Sequence, residues 1–328
     1  MIDPTEVVSA RARIRRQLST PRVVPALGAT GQRCRSAEAR GRAWRASGAL
    51  LLVAALTLTT GCEGPVACVA PTSRREALDR VNANIAKLQQ PLSCSALVSF
   101  RLRDADGRAH AFIGHEARLI YQPPQSLFFD VRAALGASVA RFGSNADTYW
   151  LWIDVPDARK MWWGRWRPGD PSTVRKLAVP PDELLDALML RPLPEALEGG
   201  QLPLLRVEGR DHRLVYVRRG PGGQPTGWRE IRLDPCEPYL PCEIIDRLPD
   251  GQIAMHAQLD HYRRVGADGP ITPRRYVVRW PTSEAEMRLD VLTARVRPDL
   301  PAGVFDFPAD WQGETEALEG RAPEAGAP

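Results

Sequence analysis

Histidine is scarce in this chain, and the patterns that announce common chemistry are missing. Five histidines occur in 328 residues: His110, His115, His212, His256 and His261. No H-E-x-x-H, G-x-S-x-G or Walker pattern is present. That removes the usual sequence routes to a zinc protease, an elbow-type serine hydrolase or a P-loop nucleotidase. His110 and His115 lie five residues apart in a strand-like segment, as do His256 and His261. Alternation along a strand puts each pair on opposite faces, so neither is expected to share a metal. C-x-x-C is absent as well, so no metal site is expected, and no cofactor. Residues 218–227 are rich in glycine, but no helix-like segment follows them. They read as a hairpin loop and not as a phosphate cradle.

A membrane-spanning run is missing too. Residues 48–61 carry no charge, yet a spanning helix needs about 20 apolar residues to cross about 30 Å of hydrocarbon. A signal-peptide core needs only about 7–15. Upstream stand Arg33, Arg35, Arg40, Arg42 and Arg45; downstream come Thr59, Thr60, Gly61 and Cys62. The arrangement resembles the lipobox of bacterial lipoproteins, with Thr59 where that family usually carries leucine. The resemblance implies that residues 1–61 are an export leader and that Cys62 is acylated and becomes the new N-terminus. A plain secretory signal and a short uncleaved anchor are the alternatives. The leader is long for its class: either its basic region is extended, or translation starts downstream of Met1, at Val23 or Val24.

The leader also accounts for the basic balance. The whole chain has a formal charge of +5, but residues 1–61 hold ten arginines and three acids. The remainder has 34 basic and 36 acidic side chains, a net of −2. Interspersed charge near neutrality gives no electrostatic footprint for a phosphate backbone, so a nucleic-acid partner is not expected.

Six cysteines occur, at 34, 62, 68, 94, 236 and 242. With Cys34 in the leader and Cys62 acylated, four remain in an oxidising compartment, where two disulfides can form. The expected pairs are Cys236 with Cys242, across a short loop, and Cys68 with Cys94. Crossed pairings stay open.

Residues 62–72 form a short tether rich in small residues and proline. After it, Ala77, Leu78, Val81, Ile85 and Leu88 recur at helical spacing. Ser73 and Glu76 stand in front as a capping box. From residue 97 the period changes to two. Strand-like segments follow at 97–103, 109–121, 126–131, 138–142, 147–153 and 159–165. A helical segment opens at Pro180-Pro181-Asp182-Glu183, with Leu184, Leu185, Leu188 and Met189 on one face. More strands are expected at 204–208, 213–218, 228–233, 242–247, 252–263, 274–280 and 287–296. The tail, 312–328, reads as disordered. The fold class is therefore α+β, with one domain over 73–311. About a dozen strands are too many for a flat open sheet. A strongly curved antiparallel sheet is expected, an unclosed half-barrel whose concave face the helices cover.

Four segments carry a family resemblance: GHEARLIYQPPQSLFFDV (114–131), SVARFGSNADTYWLWI (138–153), PPDELLDALML (180–190) and LPAGVFDFP (300–308). In this order they resemble the LolA/LolB-like superfamily of periplasmic lipoprotein carriers and outer-membrane acceptors. The resemblance spans roughly 74–308 and marks a fold, not a reaction. It implies an unclosed barrel with an apolar cavity for acyl chains. It also implies a non-enzymatic protein of the cell envelope, held by its N-terminal lipid anchor. The periplasmic face of the outer membrane is preferred over the inner membrane. The partners implied are lipid or lipoprotein acyl chains, with envelope proteins as further partners. A sensing or protein-interaction module with a filled core is the rival reading, and an unrecognised hydrolase a distant third. Phe128, Leu151, Trp163 and Leu185 are the candidates for lining the cavity. The hairpin around residue 155 is apolar on both faces, so one face is expected to line the cavity and the other to pack on a helix or loop.

Overall fold

The computed structural model describes residues 71–318, apart from 72, 104–106, 135, 156–157, 167–178, 180, 198–200, 221, 237 and 310. The leader, Cys62 and all of the tether except Pro71 lie outside the described residues. Two α-helices occur among those described, α1 (Arg74–Ile85) and α2 (Pro181–Ala187). The first half of the chain then supplies β1 (Leu92–Arg103), β2 (Ala109–Gln122), β3 (Ser126–Arg132), β4 (Ser138–Ser144), β5 (Thr148–Val155) and β6 (Ala158–Arg165). The second half supplies β7 (Leu204–Glu208), β8 (Asp211–Arg219), β9 (Pro225–Leu233), β10 (Pro241–Arg247), β11 (Ile253–Asp260), β14 (Arg275–Trp280) and β15 (Ala285–Val296). A two-residue ribbon, β12 (Arg263–Arg264) with β13 (Ile271–Thr272), stands apart, and β16 (Glu314–Ala317) ends the described chain.

Fourteen strands make one sheet, in the order β16-β6-β5-β4-β3-β2-β1-β15-β14-β11-β10-β9-β8-β7. Its two edges, β16 and β7, do not meet, so the sheet is unclosed. Two meanders are thus stitched together by β1 and β15, whose register runs from Leu92 opposite Val296 to Arg101 opposite Glu286. The fold is mostly β, with less helix than an α+β class implies.

Alternation decides which side chains meet. Val98, Phe100, Phe129, Phe142 and Leu151 from the first meander join Leu214, Tyr216, Ile231, Met255 and Val278 from the second in one buried cluster. We call that side of the sheet the inner face. The helices add Ala77, Leu78, Val81 and Ile85 from α1, and Leu184 and Leu185 from α2, to the same cluster. Each large apolar side chain so buried contributes about 1.5–3 kcal/mol. The cap expected for α1 is present: the Glu76 backbone N–H donates to the Ser73 hydroxyl at 3.2 Å.

One irregularity changes a face assignment. In β2, Phe112 sits opposite Phe100 and His115 opposite Val98. An extra residue is therefore bulged out, and Gly114 adopts φ +67° there, a value that only glycine takes freely. The bulge shifts the parity. His110, opposite Leu102, and His115, opposite Val98, fall on the same face and not on opposite ones. Their partners lie four residues apart on β1, about 13 Å, which is still too far for one metal ion.

The outer face carries a second, smaller cluster: Trp150, Trp152, Met161 and Trp163. Among the described residues it packs on Phe307, Trp311 and Ala317 of the C-terminal segment, not on a helix; the loop that follows the hairpin, 167–178, lies outside the described residues. Trp152 stacks on Trp311 with ring centroids 5.1 Å apart, and Trp150 meets Phe307 edge-on at 5.6 Å. Glycine at 143 leaves the space that the Trp150 ring fills across the β4–β5 pair. Beyond this contact β16 pairs with β6 in parallel, and Lys160 binds Glu314 at 3.1 Å and Glu316 at 2.9 Å. The disorder expected from residue 312 onward is thus overturned for 314–317, where backbone pairing and two ion pairs order a polar segment.

Candidate functional site

An apolar recess opens between α1, the segment that leaves α2, and the residues just before β14. Val81, Ile85 and Leu88 form one wall; Leu188, Met189 and Leu190 form another. Thr272, Pro273 and Tyr276 close the third side and continue into a deeper recess floored by Leu119, Leu289 and Val291. The cavity volumes are small, about 30 Å³ at the mouth and about 10 Å³ in the deeper part. Sites for drug-sized ligands run to about 300–1,000 Å³. In this conformation the inner face is therefore largely filled by its own side chains.

Two asparagines latch α1 across this recess. Asn84 donates to the Ile271 carbonyl and accepts from the Ile271 N–H, both at 2.8 Å. Asn82 does the same with Leu193, at 2.9 and 2.8 Å. Two residues apart on a helix, the asparagines point to different sides, so α1 is gripped by β13 on one flank and by the chain after α2 on the other. Met189, which lines the mouth, holds φ +52°.

Beneath α2 lies a charged cluster. Arg229 donates two hydrogen bonds to Asp246, both at 2.7 Å, and one to Asp186 at 2.6 Å. Arg191 donates to Asp186 through Nε at 2.8 Å. Burial works against the Arg229 charge, yet the two carboxylates hold its value well above the ordinary one. For Asp186, burial pushes up, but Arg229 and Arg191 outweigh it and hold the carboxyl below its usual value. Glu183 has no such partner: burial, with Asp182 and Asp246 adding to it, pushes its carboxyl up to about 7.

The four residues expected to line a cavity are scattered. Leu151 and Leu185 are buried in the inner cluster, 3% and 0% exposed, away from the recess. Trp163 lies on the outer face against Phe307. Phe128 is also on the outer side, beneath the Arg141 guanidinium at 4.8 Å. Alternation gave two faces but not which one is inner. The sequence pattern puts Leu188 and Met189 on the helix's apolar face, but the helix ends at Ala187 and they line the recess instead with Leu190.

The expected disulfide pairs do not form. Cys94 and Cys242 are free thiols, which excludes Cys68 with Cys94 and Cys236 with Cys242. Cys94 is buried in the wall of the deeper recess, and burial raises its thiol to about 12. Cys242 donates to the Arg232 carbonyl at 3.4 Å. Cys236 is disulfide-bonded; Cys34, Cys62 and Cys68 lie outside the described residues. Among the histidines, His256 meets Glu243 at 2.9 Å and His115 meets the Arg132 carbonyl at 2.9 Å. The His256 hydrogen bond, joined by Arg232, holds the Glu243 carboxyl down at about 2.

No family model and no curated protein matches the sequence. Solved structures do match the fold. A LolA superfamily protein from Nitrosomonas europaea is 12% identical, with 70% of this chain and 96% of that one covered and a TM-score of 0.41. A DUF1329 family protein from Desulfovibrio piger is 10% identical, covering 74% and 100%, at a TM-score of 0.45. A domain named for outer membrane lipoprotein sorting, from Vibrio parahaemolyticus, is 11% identical, covering 71% and 97%, at 0.43. At such identities the likeness is one of fold, and these scores carry no argument about role. A LolA-superfamily structure and a lipoprotein-sorting domain are thus among the solved structures to which the chain is similar, each at a TM-score below 0.5.

Proposed function

We propose that the protein is a non-enzymatic, lipid-anchored protein of the cell envelope that shelters an acyl chain, of a lipid or a lipoprotein, in the recess beneath α1. The observation that carries this reading is the recess itself, apolar on three sides and continuous with the inner cluster. Side chains of both helices belong to the inner cluster, and outward movement of α1 would enlarge the recess. Each methylene buried there contributes about 0.8 kcal/mol, so a long chain can offset the loss of the asparagine latches. Cys62 would hold the protein at the membrane, on the periplasmic side of the outer membrane in preference to the inner.

The small volume of the recess favours a second reading, a protein-interaction or sensing module with a filled core. Native mass spectrometry of the full chain, with lipid extraction, separates the two. Co-purifying lipid and uptake of a fluorescent acyl probe are expected. A Thr272→Trp variant, which fills the half-buried mouth, should lose at least about tenfold in probe affinity while unfolding within about 1 kcal/mol of the parent. No lipid and no uptake would leave the interaction module standing.

A further inference from the structure

The two edges of the large sheet differ in chemistry. The β16 edge carries Glu314 and Glu316 and no large apolar side chain. Like charges along an edge keep other strands away. At the other edge β7 reads Leu-Leu-Arg-Val-Glu, and among the described residues no strand pairs with its outer side. Six large apolar side chains are exposed among the described residues, and three of them, Leu202, Leu204 and Val207, fall on or beside this strand. Such a concentration of exposed apolar surface marks a contact site. Leu205 packs against the inner cluster. Alternation therefore puts Leu205 and Val207 on the inner face, and Leu204, Arg206 and Glu208 on the outer. There Arg206 donates to Glu208 at 2.7 Å, with both side chains well exposed.

A second copy of the chain can extend the sheet at this edge. Two antiparallel copies of β7, related by a two-fold axis perpendicular to the sheet, keep their inner faces on one side, and the axis then passes through a residue. Centred on Leu204 or Leu205, the ladder runs into Pro203, which has no N–H to give. Centred on Arg206 or Glu208, it sets like charges against each other. Centred on Val207, it sets Val207 against Val207 on the inner face and Arg206 against Glu208 twice on the outer. Leu204 then lies opposite Arg210, beside the apolar stem of that side chain.

We propose that β7 is a self-association edge, through which two copies of the chain pair antiparallel about Val207. Backbone bonding across the open edge and two reciprocal Arg206–Glu208 contacts hold the pair together. The edge is short, so the dimer is reversible and depends on concentration. The two inner faces lie on the same side of one continuous sheet. This inference does not depend on acyl binding.

Sedimentation velocity of the full chain in density-matched detergent, over about a hundredfold range of concentration, should show a monomer–dimer equilibrium. Arg206→Glu and Glu208→Arg should each weaken it about tenfold or more, because each sets like charges opposite one another. Mixing the two variants should restore the dimer, since the acids of one copy then face the bases of the other. The double exchange within one chain should restore it as well. Both side chains are exposed, so the urea midpoints of these variants should match the parent's. A chain that stays monomeric at every concentration would overturn the proposal. So would a dimer that the single exchanges leave intact, or one that the mixture does not restore.

Discussion

Replacing Glu183 by glutamine should stabilise the protein at alkaline pH and leave it unchanged in acid. Glu183 sits in the first turn of α2, half-buried, facing Asp182 and Asp246, with Arg229 and Arg218 as its nearest cations. Arg229 is committed to Asp246 and Asp186, and Arg218 lies 3.9 Å from Asp246. Glu183 is thus a carboxyl with acids beside it and no hydrogen-bonded counter-ion of its own. Its value in the folded state is about 7, against 4.5 for the free side chain. A raised value means that the fold prefers the protonated form. The stabilisation is complete below about pH 4.5 and is lost as pH rises to about 7. At about 1.4 kcal/mol per pH unit the loss amounts to at most about 3.5 kcal/mol, and residual solvent contact lowers it to about 1–3 kcal/mol. Urea unfolding of the parent and Glu183→Gln at pH 4.5, 6 and 8 measures it. The two midpoints should coincide at the lowest pH and separate progressively, with the variant higher at pH 8. Parallel curves with a constant offset would refute the argument, because they would show that Glu183 ionises as freely folded as unfolded.

Arg229→Ala should cost about 3–5 kcal/mol in urea unfolding, because it leaves Asp246 buried with its main partner gone; a loss under about 1 kcal/mol would mean that water replaces the guanidinium. Asn84→Ala should cost about 1–3 kcal/mol for the lost pair of bonds to Ile271, yet speed uptake of an acyl probe, since it releases one latch on α1. Slower or unchanged uptake would show that α1 does not move. Peptide mapping under non-reducing conditions should find Cys236 cross-linked, with Cys68 as its partner: Cys94 and Cys242 are free, Cys34 precedes the expected cleavage site, and Cys62 is expected to be acylated. Detection of Cys236 as an alkylated free thiol would exclude the bond.

Much of the sheet was legible because each strand is a short alternating run closed by turn residues. The strand at 204–208 has the bounds read from the sequence, and most of the others differ by a few residues at an end. What alternation could not supply was pairing at a distance. Nothing local in Leu92–Arg103 says that its second neighbour is Ala285–Val296. Nor does Glu-Thr-Glu-Ala resemble a strand; its order comes from Lys160 and from the exposed backbone of β6, both remote in sequence. The bulge at Gly114 hides in the same way, since one unpaired residue reverses every face prediction beyond it. The recess was the least legible feature. Its residues come from α1, from the segment just past α2 and from a two-residue strand, and only the fold brings them together. The asparagine pair was visible as Asn-Ala-Asn, but a polar pair on a helix usually signals a solvated side.

The seam between β1 and β15 bears on how the chain reaches its native state. A polypeptide emerges from a ribosome or a translocation channel with its N-terminus first. The meander β1–β6 can assemble early, but the second edge of β1 stays open until the chain has delivered residues 285–296. For most of synthesis the molecule is thus half a sheet with an apolar face and a strand of twelve residues awaiting its neighbour. Contacts so distant in sequence form slowly, and an uncovered edge invites pairing with other chains. The protein should therefore depend on holdase chaperones while its C-terminal half is still to come. Destabilising changes in β15 should appear first as lower yield of exported protein, before any change in the purified product.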